Sequence, residues 1–291
     1  MASGHYVRFH YDNDYFTKTD QYYTQGIGLE VVSPVVKNFP LRRLLFMKST
    51  INTIFGVMVD YYGYTPTSIR SDTILRGDMP FSSNLSLKTF GININPEKKQ
   101  RLTVGFILGI MGQGTGGEKM QDDIHRWTGN VKPKGWQYQL RNDIILNYEV
   151  QLEQQLLSLN NILLLNGIGK VRLGTHDVDA KAGASFMLGN INNPFATTGN
   201  YKKKKFSYYL YGQITGAAVA FDASLQGGMF NRKSPYIIPI SATRQFRMQA
   251  DYGIVLRFKS VYLEYCQSFL TKRFDEGMNH RWGGVRIGVN F

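Results

Sequence analysis

The sequence predicts an all-β protein: a twelve-stranded antiparallel transmembrane β-barrel that uses residues 1–291 as one domain, with a short helix in an extracellular loop. Three observations carry this prediction. Long segments alternate between apolar and polar residues, as 139–154 does. No apolar run reaches the roughly 18–20 residues of a membrane-spanning helix, although 43% of the chain is hydrophobic. The 18 Tyr, 18 Phe and 30 Gly, against 9 Pro, suit strands and barrel bends.

Alternating strands of this kind occur in two architectures. A soluble sandwich or barrel buries the apolar face, whereas an outer-membrane barrel turns that face toward lipid. The segments here are about ten residues or longer, which is the length that a tilted membrane strand requires. Their polar faces carry full charges, and the last segment ends the chain on Phe291, which resembles the C-terminal signature of bacterial outer-membrane proteins. We therefore favour the membrane barrel.

The predicted strands are even in number, as in bacterial barrels. They lie near residues 5–12, 26–36, 51–63, 82–92, 100–111, 138–154, 158–174, 177–189, 205–222, 243–258, 260–270 and 280–291. Loops that follow odd-numbered strands share one rim, so the loops at 13–25 and 112–137 meet there. With both termini periplasmic, that rim is extracellular. The connections at 37–50 and 190–204 are long for periplasmic turns, and the former is predicted as an amphipathic piece at the bilayer surface.

Composition limits the partners and the compartment. The formal charge of +13 indicates an anionic partner, either nucleic acid, a phosphate-bearing lipid or a membrane surface, and charge alone does not choose among them. The single cysteine, Cys266, excludes an internal disulfide framework and a Cys-based zinc site. The first four residues lack a signal-peptide pattern, so an exported form has lost its leader or carries a start Met in its place.

The first loop is unusually long and polar. A hairpin needs only two to five loop residues, yet 13–25 is filled with carboxylate, amide, hydroxyl and phenol groups, among them Asn13, Asp14 and Thr24. Extra polar chemistry in a loop held by stiff strands is a common location of function.

The loop after the fifth strand supplies a matching segment. Residues 117–127 are predicted to be helical, and Gln121 and His125 are spaced i, i+4, so one face presents an amide and an imidazole together. Histidine is the usual general base near neutral pH. The predicted meeting of His125 with Asp14 and Thr24 on one rim favours a site over a solvated surface histidine.

These residues together resemble the lipid A 3′-O-deacylase family along essentially the whole chain. The resemblance rests on Asn13-Asp14, on Tyr23-Thr24-Gln25-Gly26, on Gln121-x-x-x-His125, on Gly135-Trp136-Gln137-x-Gln139-Leu140-x-Asn142, on Leu225-Gln226-Gly227-Gly228, and on Tyr262-x-Glu264-Tyr265 through to Phe291. It implies a twelve-stranded outer-membrane barrel whose rim site hydrolyses the ester of the 3′ acyloxyacyl group of lipid A. It also implies a divalent cation, usually taken to be calcium.

The resemblance implies a role for each site residue. His125 would activate water, Asp14 would support it and bind the metal, and Asn13, Thr24 and Gln121 would position water, metal or substrate. The chain has no G-x-S-x-G motif, so direct attack by water fits better than an acyl-enzyme. Calcium would stabilise the oxyanion, although one histidine and one carboxylate suit zinc as well.

Basic residues near that rim are predicted to bind lipid A phosphates. They are Arg70, Arg76, Arg126, Lys132 and Lys134. The run Lys202–Lys205 is predicted on the opposite rim. We expect a monomer that binds lipopolysaccharide and outer-membrane lipids but no nucleic acid. The alternatives are a non-enzymatic pore or surface-interaction barrel, and a soluble barrel that binds nucleic acid.

Overall fold

The protein is a closed antiparallel barrel of twelve strands, described here from a computed structural model that covers residues 5–19, 21–160, 162–195 and 205–291. Each strand pairs with its neighbours in the chain, and β1 closes the barrel against β12. The strands are β1 Tyr6–Asn13, β2 Tyr22–Val32, β3 Thr53–Thr65, β4 Ser82–Asn95, β5 Gln100–Met111, β6 Asp143–Leu159, β7 Leu163–Gly174, β8 Asp177–Asn190, β9 Phe206–Asp222, β10 Phe246–Phe258, β11 Val261–Leu270 and β12 His280–Asn290. The predicted all-β barrel is confirmed.

Several strand boundaries differ from the prediction, and the largest differences are at β2, β6 and β7, the last of which begins at Leu163 and not at 158. Strand β2 begins at Tyr22, before the expected residue 26, so the first loop is shorter than predicted. Strand β6 begins at Asp143 and not at 138, because Trp136–Tyr138 forms a 3-10 helix and Leu140 binds the Phe81 carbonyl through its N–H. Leu140 is fully buried in a cluster with Met111 and Ala223, so it does not belong to the lipid-facing row.

The two faces of the barrel wall have opposite chemistry. The outward row is apolar and exposed, with Phe9 at 42% and Val59 at 49%. The lumen is crossed by ion pairs between charged residues of different strands. They are Lys88–Glu149, Lys170–Glu149, Arg101–Glu153, Arg172–Asp179, Arg286–Glu264 and Arg8–Glu30. This pattern fits a wall that meets lipid outside and has a filled, polar interior.

The connection between β2 and β3 contains two 3-10 helices, Pro34–Asn38 and Pro40–Leu44. Within it, Leu45 packs in a buried cluster with Phe55, whereas Phe46 is 84% exposed. An amphipathic piece at the bilayer surface stays a prediction for this stretch. Lys202–Lys204 lie outside the described residues.

Two short α-helices occur in the described part of the chain, α1 (Gly117–Thr128) and α2 (Ala223–Gln226). Neither of them is long and apolar enough to cross a membrane.

Candidate functional site

Helix α1 presents one buried face, as the i, i+4 spacing predicts. Its buried residues are Gly117, Gln121 and His125, which lie one above the other along the helix. Gly129, with a φ of +69°, ends the helix, and its N–H binds the His125 carbonyl. The amide and the imidazole therefore face the same surface, and that surface is protein.

Helix α1 packs against the outer wall of the barrel. Ser83 lies on the same strand face as Leu85, which is 37% exposed, and Tyr61 lies on the same face as Val59. The Ser83 hydroxyl hydrogen-bonds the Thr115 hydroxyl at 2.6 Å, just before the helix. A β-carbon at Gly117 would lie 2.5 Å from Ser83 Oγ, so the first turn of α1 sits directly on β3 and β4. The site therefore forms outside the lumen.

The tautomer of His125 follows from its neighbour. Its Nδ1 lies 2.6 Å from the Val131 carbonyl oxygen. A carbonyl only accepts hydrogen bonds, so Nδ1 carries the proton and Nε2 keeps its lone pair. The loop after α1 thus holds the imidazole in the form that a general base needs.

Trp136 orients Gln121. The indole Nε1 donates a 2.6 Å hydrogen bond to Gln121 Oε1, and both side chains are buried. Because an indole N–H only donates, the amide oxygen must face it. The Gln121 NH₂ group then points away from the indole and can donate a hydrogen bond to another group. Trp136 is itself fixed in a buried cluster with Ile69 and Phe81.

The remaining residues of the 135–142 motif support α1. Asn142 Oδ1 accepts a 2.8 Å hydrogen bond from the Gly114 N–H, in the 3-10 turn before the helix. Gly112 has a φ of +92°, and a β-carbon there would lie 2.7 Å from the backbone of Arg141. This segment therefore sets the position of α1 relative to the wall.

Asn13 and Asp14 form the other part of the rim. Asn13 ends β1 and caps the 3-10 helix Asp14–Thr17, since its Oδ1 accepts a 2.8 Å bond from the Tyr15 N–H. Asp14 is 5% exposed, and its Oδ2 accepts a 2.7 Å bond from the Gln21 N–H. These bonds hold the first loop close to the barrel end.

Thr24 is a strand residue, which corrects its predicted place in the loop. It falls at the register shift between Tyr23 and Gln25, where β2 bulges against β3. Its hydroxyl hydrogen-bonds the Thr65 hydroxyl at 2.7 Å. Bulges change the direction of side chains and are frequent next to active sites. A functional role of Thr24 therefore stays a prediction.

A buried polar chain on the outer wall runs from β2 to the segment just before α1. The Tyr61 hydroxyl hydrogen-bonds the side chains of Gln25 on β2 and Ser83 on β4. Sequence reasoning missed Tyr61 and Ser83. The strand alternation could have identified them, because both are polar residues at positions whose side chains point outward and would otherwise face lipid. Direct contact of His125 with Asp14 stays a prediction.

The predicted phosphate-binding residues divide into three groups. Arg70, Lys132 and Lys134 are exposed beside one another, because the Lys134 N–H binds the Ile69 carbonyl at 2.7 Å. Arg126 pairs with Asp122 at 2.8 Å within α1. Arg76 lines a separate groove with Phe274 and Glu276 from other loops. The structure therefore places four of the five basic residues on α1 or in the neighbouring loops, and it places Arg76 apart from them.

The described residues contain no group of three or more His, Cys, Asp or Glu side chains that could hold a metal ion. The donors expected for a cation at Asp14 are its carboxylate and the neutral oxygens of the first loop. That donor chemistry fits calcium, which accepts carbonyls and water, and it fits zinc poorly.

Comparisons with known proteins agree with this architecture. A family model described as "Outer membrane protein LpxR" matches residues 1–291. The structure is similar to LpxR from Salmonella typhimurium, with a TM-score of 0.79 at 17% sequence identity over 98% of this chain and 100% of that chain. It also matches the β domain of the Bordetella autotransporter BrkA, with a TM-score of 0.49 and 10% identity over 100% of both chains. No curated protein sequence matches this chain.

Proposed function

This chain belongs to the outer membrane protein LpxR family, and on that premise we propose that it is a lipid A deacylase of the bacterial outer membrane. The family resemblance stated from the motifs is thereby confirmed. The proposed reaction is hydrolysis of the ester that joins the 3′ acyloxyacyl group to the sugar of lipid A. Its products are a carboxylic acid and the free 3′ hydroxyl.

The observation that carries the proposal is the buried face of α1. His125 has its proton fixed on Nδ1 by the Val131 carbonyl, so Nε2 accepts a proton from water. The resulting hydroxide attacks the ester carbonyl, and the Gln121 amide donates to the oxyanion that forms. When the tetrahedral intermediate collapses, the imidazolium returns its proton to the departing sugar oxygen.

The outer-wall position suits a lipid substrate. Below Ser83, the wall has an apolar groove of about 470 Å³ lined by Val59, Leu85, Leu108 and Ile110. Leu85 follows Ser83 by two residues, which is about 7 Å along a strand. An acyl chain in this groove would bring its ester toward α1, and Arg70, Lys132 and Lys134 are the basic groups proposed for the phosphates.

Asp14 and the carbonyl oxygens of the first loop are the proposed calcium ligands. A calcium ion bound there would supply positive charge beside the developing oxyanion. Asn13 holds the start of this loop through its cap on Tyr15. We assign Thr24 to positioning, because its hydroxyl is held by Thr65 at the bulge.

The test is hydrolysis by refolded protein in detergent, with lipid A and calcium, followed by mass spectrometry of the lipid and of the released acid. We expect loss of one 3′ acyloxyacyl group, and His125→Gln is expected to lower the rate by about 10²–10⁴-fold. Asp123→Asn, an exposed change on the same helix, is the matched control and retains activity. Absence of release by the wild type, or full activity of His125→Gln, contradicts the proposal.

A further inference from the structure

A second polar site lies inside the barrel, away from the outer-wall face of α1. It is a cavity of about 280 Å³ near the extracellular rim, lined by side chains of β2, β3 and β7 to β12 and of the segments that follow β7, β9 and β11. We call it the luminal chamber, and its cationic lining residues are Arg172, Lys181, Arg247 and Arg273. Its volume equals that of roughly nine water molecules.

The carboxylates of the luminal chamber are already shared among the arginines. Asp222 accepts from Arg247 at 2.6 Å and from Arg273 at 2.7 Å, so one negative charge faces two guanidinium groups. Arg172 binds both Asp177 and Asp179. Each of the three carboxylates is thus paired with arginine before the fourth cation is counted, and among their oxygens Asp179 Oδ1 is buried without a hydrogen-bond partner in the described part of the chain.

Lys181 is that fourth cation. It lies directly opposite Lys170 across the β7–β8 ladder, and like charges in this relation repel. Lys170 binds Glu149 at 2.8 Å, whereas Lys181 has no hydrogen bond or ion pair to any residue in the described ranges. Three acidic residues therefore face four basic ones, so these residues of the chamber lining carry one excess positive charge.

Arg273 adds an independent indication. The residue is 5% exposed, and its Nη1 is buried without a hydrogen-bond partner among the described residues. Buried guanidinium donors are normally satisfied, because an unmade hydrogen bond to a charged group is costly. The hydroxyl of Thr215, also on the chamber wall, offers a further donor.

We propose that the luminal chamber binds an oxyanion of the phosphate class. A tetrahedral phosphate accepts from an ammonium group and from the forked donors of arginine at the same time. It would neutralise Lys181 and give the unsatisfied donor of Arg273 an acceptor. The phosphate can be free inorganic phosphate or the phosphate of a sugar headgroup, which the available volume also admits.

Titration calorimetry of the full-length refolded protein with inorganic phosphate, at constant ionic strength, tests the proposal. We expect one site per chain, and Lys181→Met should weaken binding at least tenfold (about ten- to hundredfold for a charged hydrogen bond). Lys170→Met is the matched control, because it removes the neighbouring charge but leaves the chamber lining intact; it should change affinity by less than about threefold. No phosphate binding by the wild type, or equal binding by Lys181→Met, overturns the proposal.

A second measurement does not depend on any variant. Phosphate should slow the acylation of Lys181 by an amine-reactive reagent, measured for each peptide by mass spectrometry. The labelling of Lys119, on the exposed side of α1, should stay constant. Equal labelling of Lys181 with and without phosphate contradicts the proposal. A soluble sugar phosphate distinguishes the source: tighter binding than inorganic phosphate indicates a headgroup ligand, and weaker binding indicates free phosphate.

Discussion

Gly117 contacts the barrel wall at the start of α1. Its substitution by alanine tests how strongly activity depends on the position of this helix relative to the wall. The added β-carbon would lie 2.5 Å from Ser83 Oγ, 2.7 Å from Ser83 Cβ and 2.9 Å from the Tyr61 hydroxyl. Ordinary contact is about 3.5 Å or more, so α1 must lift by about 1 Å. A displacement of this size between catalytic groups and substrate lowers rates by about 10²-fold.

We therefore expect Gly117→Ala to lower kcat/KM for lipid A deacylation by about 10²-fold, measured by mass spectrometry of the product lipid. Helix loss would not explain the effect, because alanine favours a helix over glycine by about 1 kcal/mol and the φ of Gly117 is ordinary. Lys119→Ala, on the exposed side of α1, is the control and should retain activity.

A compensating substitution distinguishes a displaced α1 from a general folding defect as the cause of lost activity. Ser83→Gly removes the two atoms that collide first, so the double variant with Gly117→Ala should recover at least about tenfold of the lost activity, while Ser83→Gly alone is measured as reference. If folded Gly117→Ala retains activity within about threefold of the wild type, the proposed seating of α1 is wrong.

Three further outcomes are expected. Trp136→Phe keeps the buried ring but removes the donor to Gln121, so kcat should fall about tenfold with little change in KM; an unchanged kcat contradicts the orienting role. Chelation by EGTA should abolish release, and calcium should restore it with half-saturation near about 10⁻⁴–10⁻³ M, because Asp14 is the one proposed carboxylate ligand; activity that resists EGTA and EDTA excludes the metal. The Arg70→Ala/Lys134→Ala variant should raise KM about tenfold for phosphorylated lipid A, and an equal effect on dephosphorylated lipid A would refute phosphate binding by this pair.

The barrel was predictable because every strand obeys one strong constraint. Outward side chains that face lipid must be apolar, and the alternation that results locates strands such as β5 to the residue. The prediction was wrong at the start of β6, where Leu140 is apolar for another reason. It packs beneath the extracellular loops with Met111, and alternation does not distinguish a loop core from a lipid face.

The candidate site was predictable only in part. The spacing of Gln121 and His125 placed both on one helix face, since that relation is local. The tautomer of His125 depends on the Val131 carbonyl and the orientation of Gln121 depends on Trp136, and both partners are set by loop geometry that has no period. The assignment of Thr24 to a loop was wrong because a bulge interrupts the alternation of β2.

The same lipid constraint explains why the site lies on the outer wall. Gln25, Tyr61 and Ser83 are polar groups on the outward face, and leaving them bare in a membrane would be costly. The first turn of α1 packs on Ser83 and Tyr61, and Leu85 of the apolar groove follows Ser83 by two residues, so the helix that carries Gln121 and His125 starts beside this groove. A lipid in the outer leaflet would meet this outer face without leaving the membrane. The covering of polar strand residues and the placement of the proposed base thus have a single structural cause.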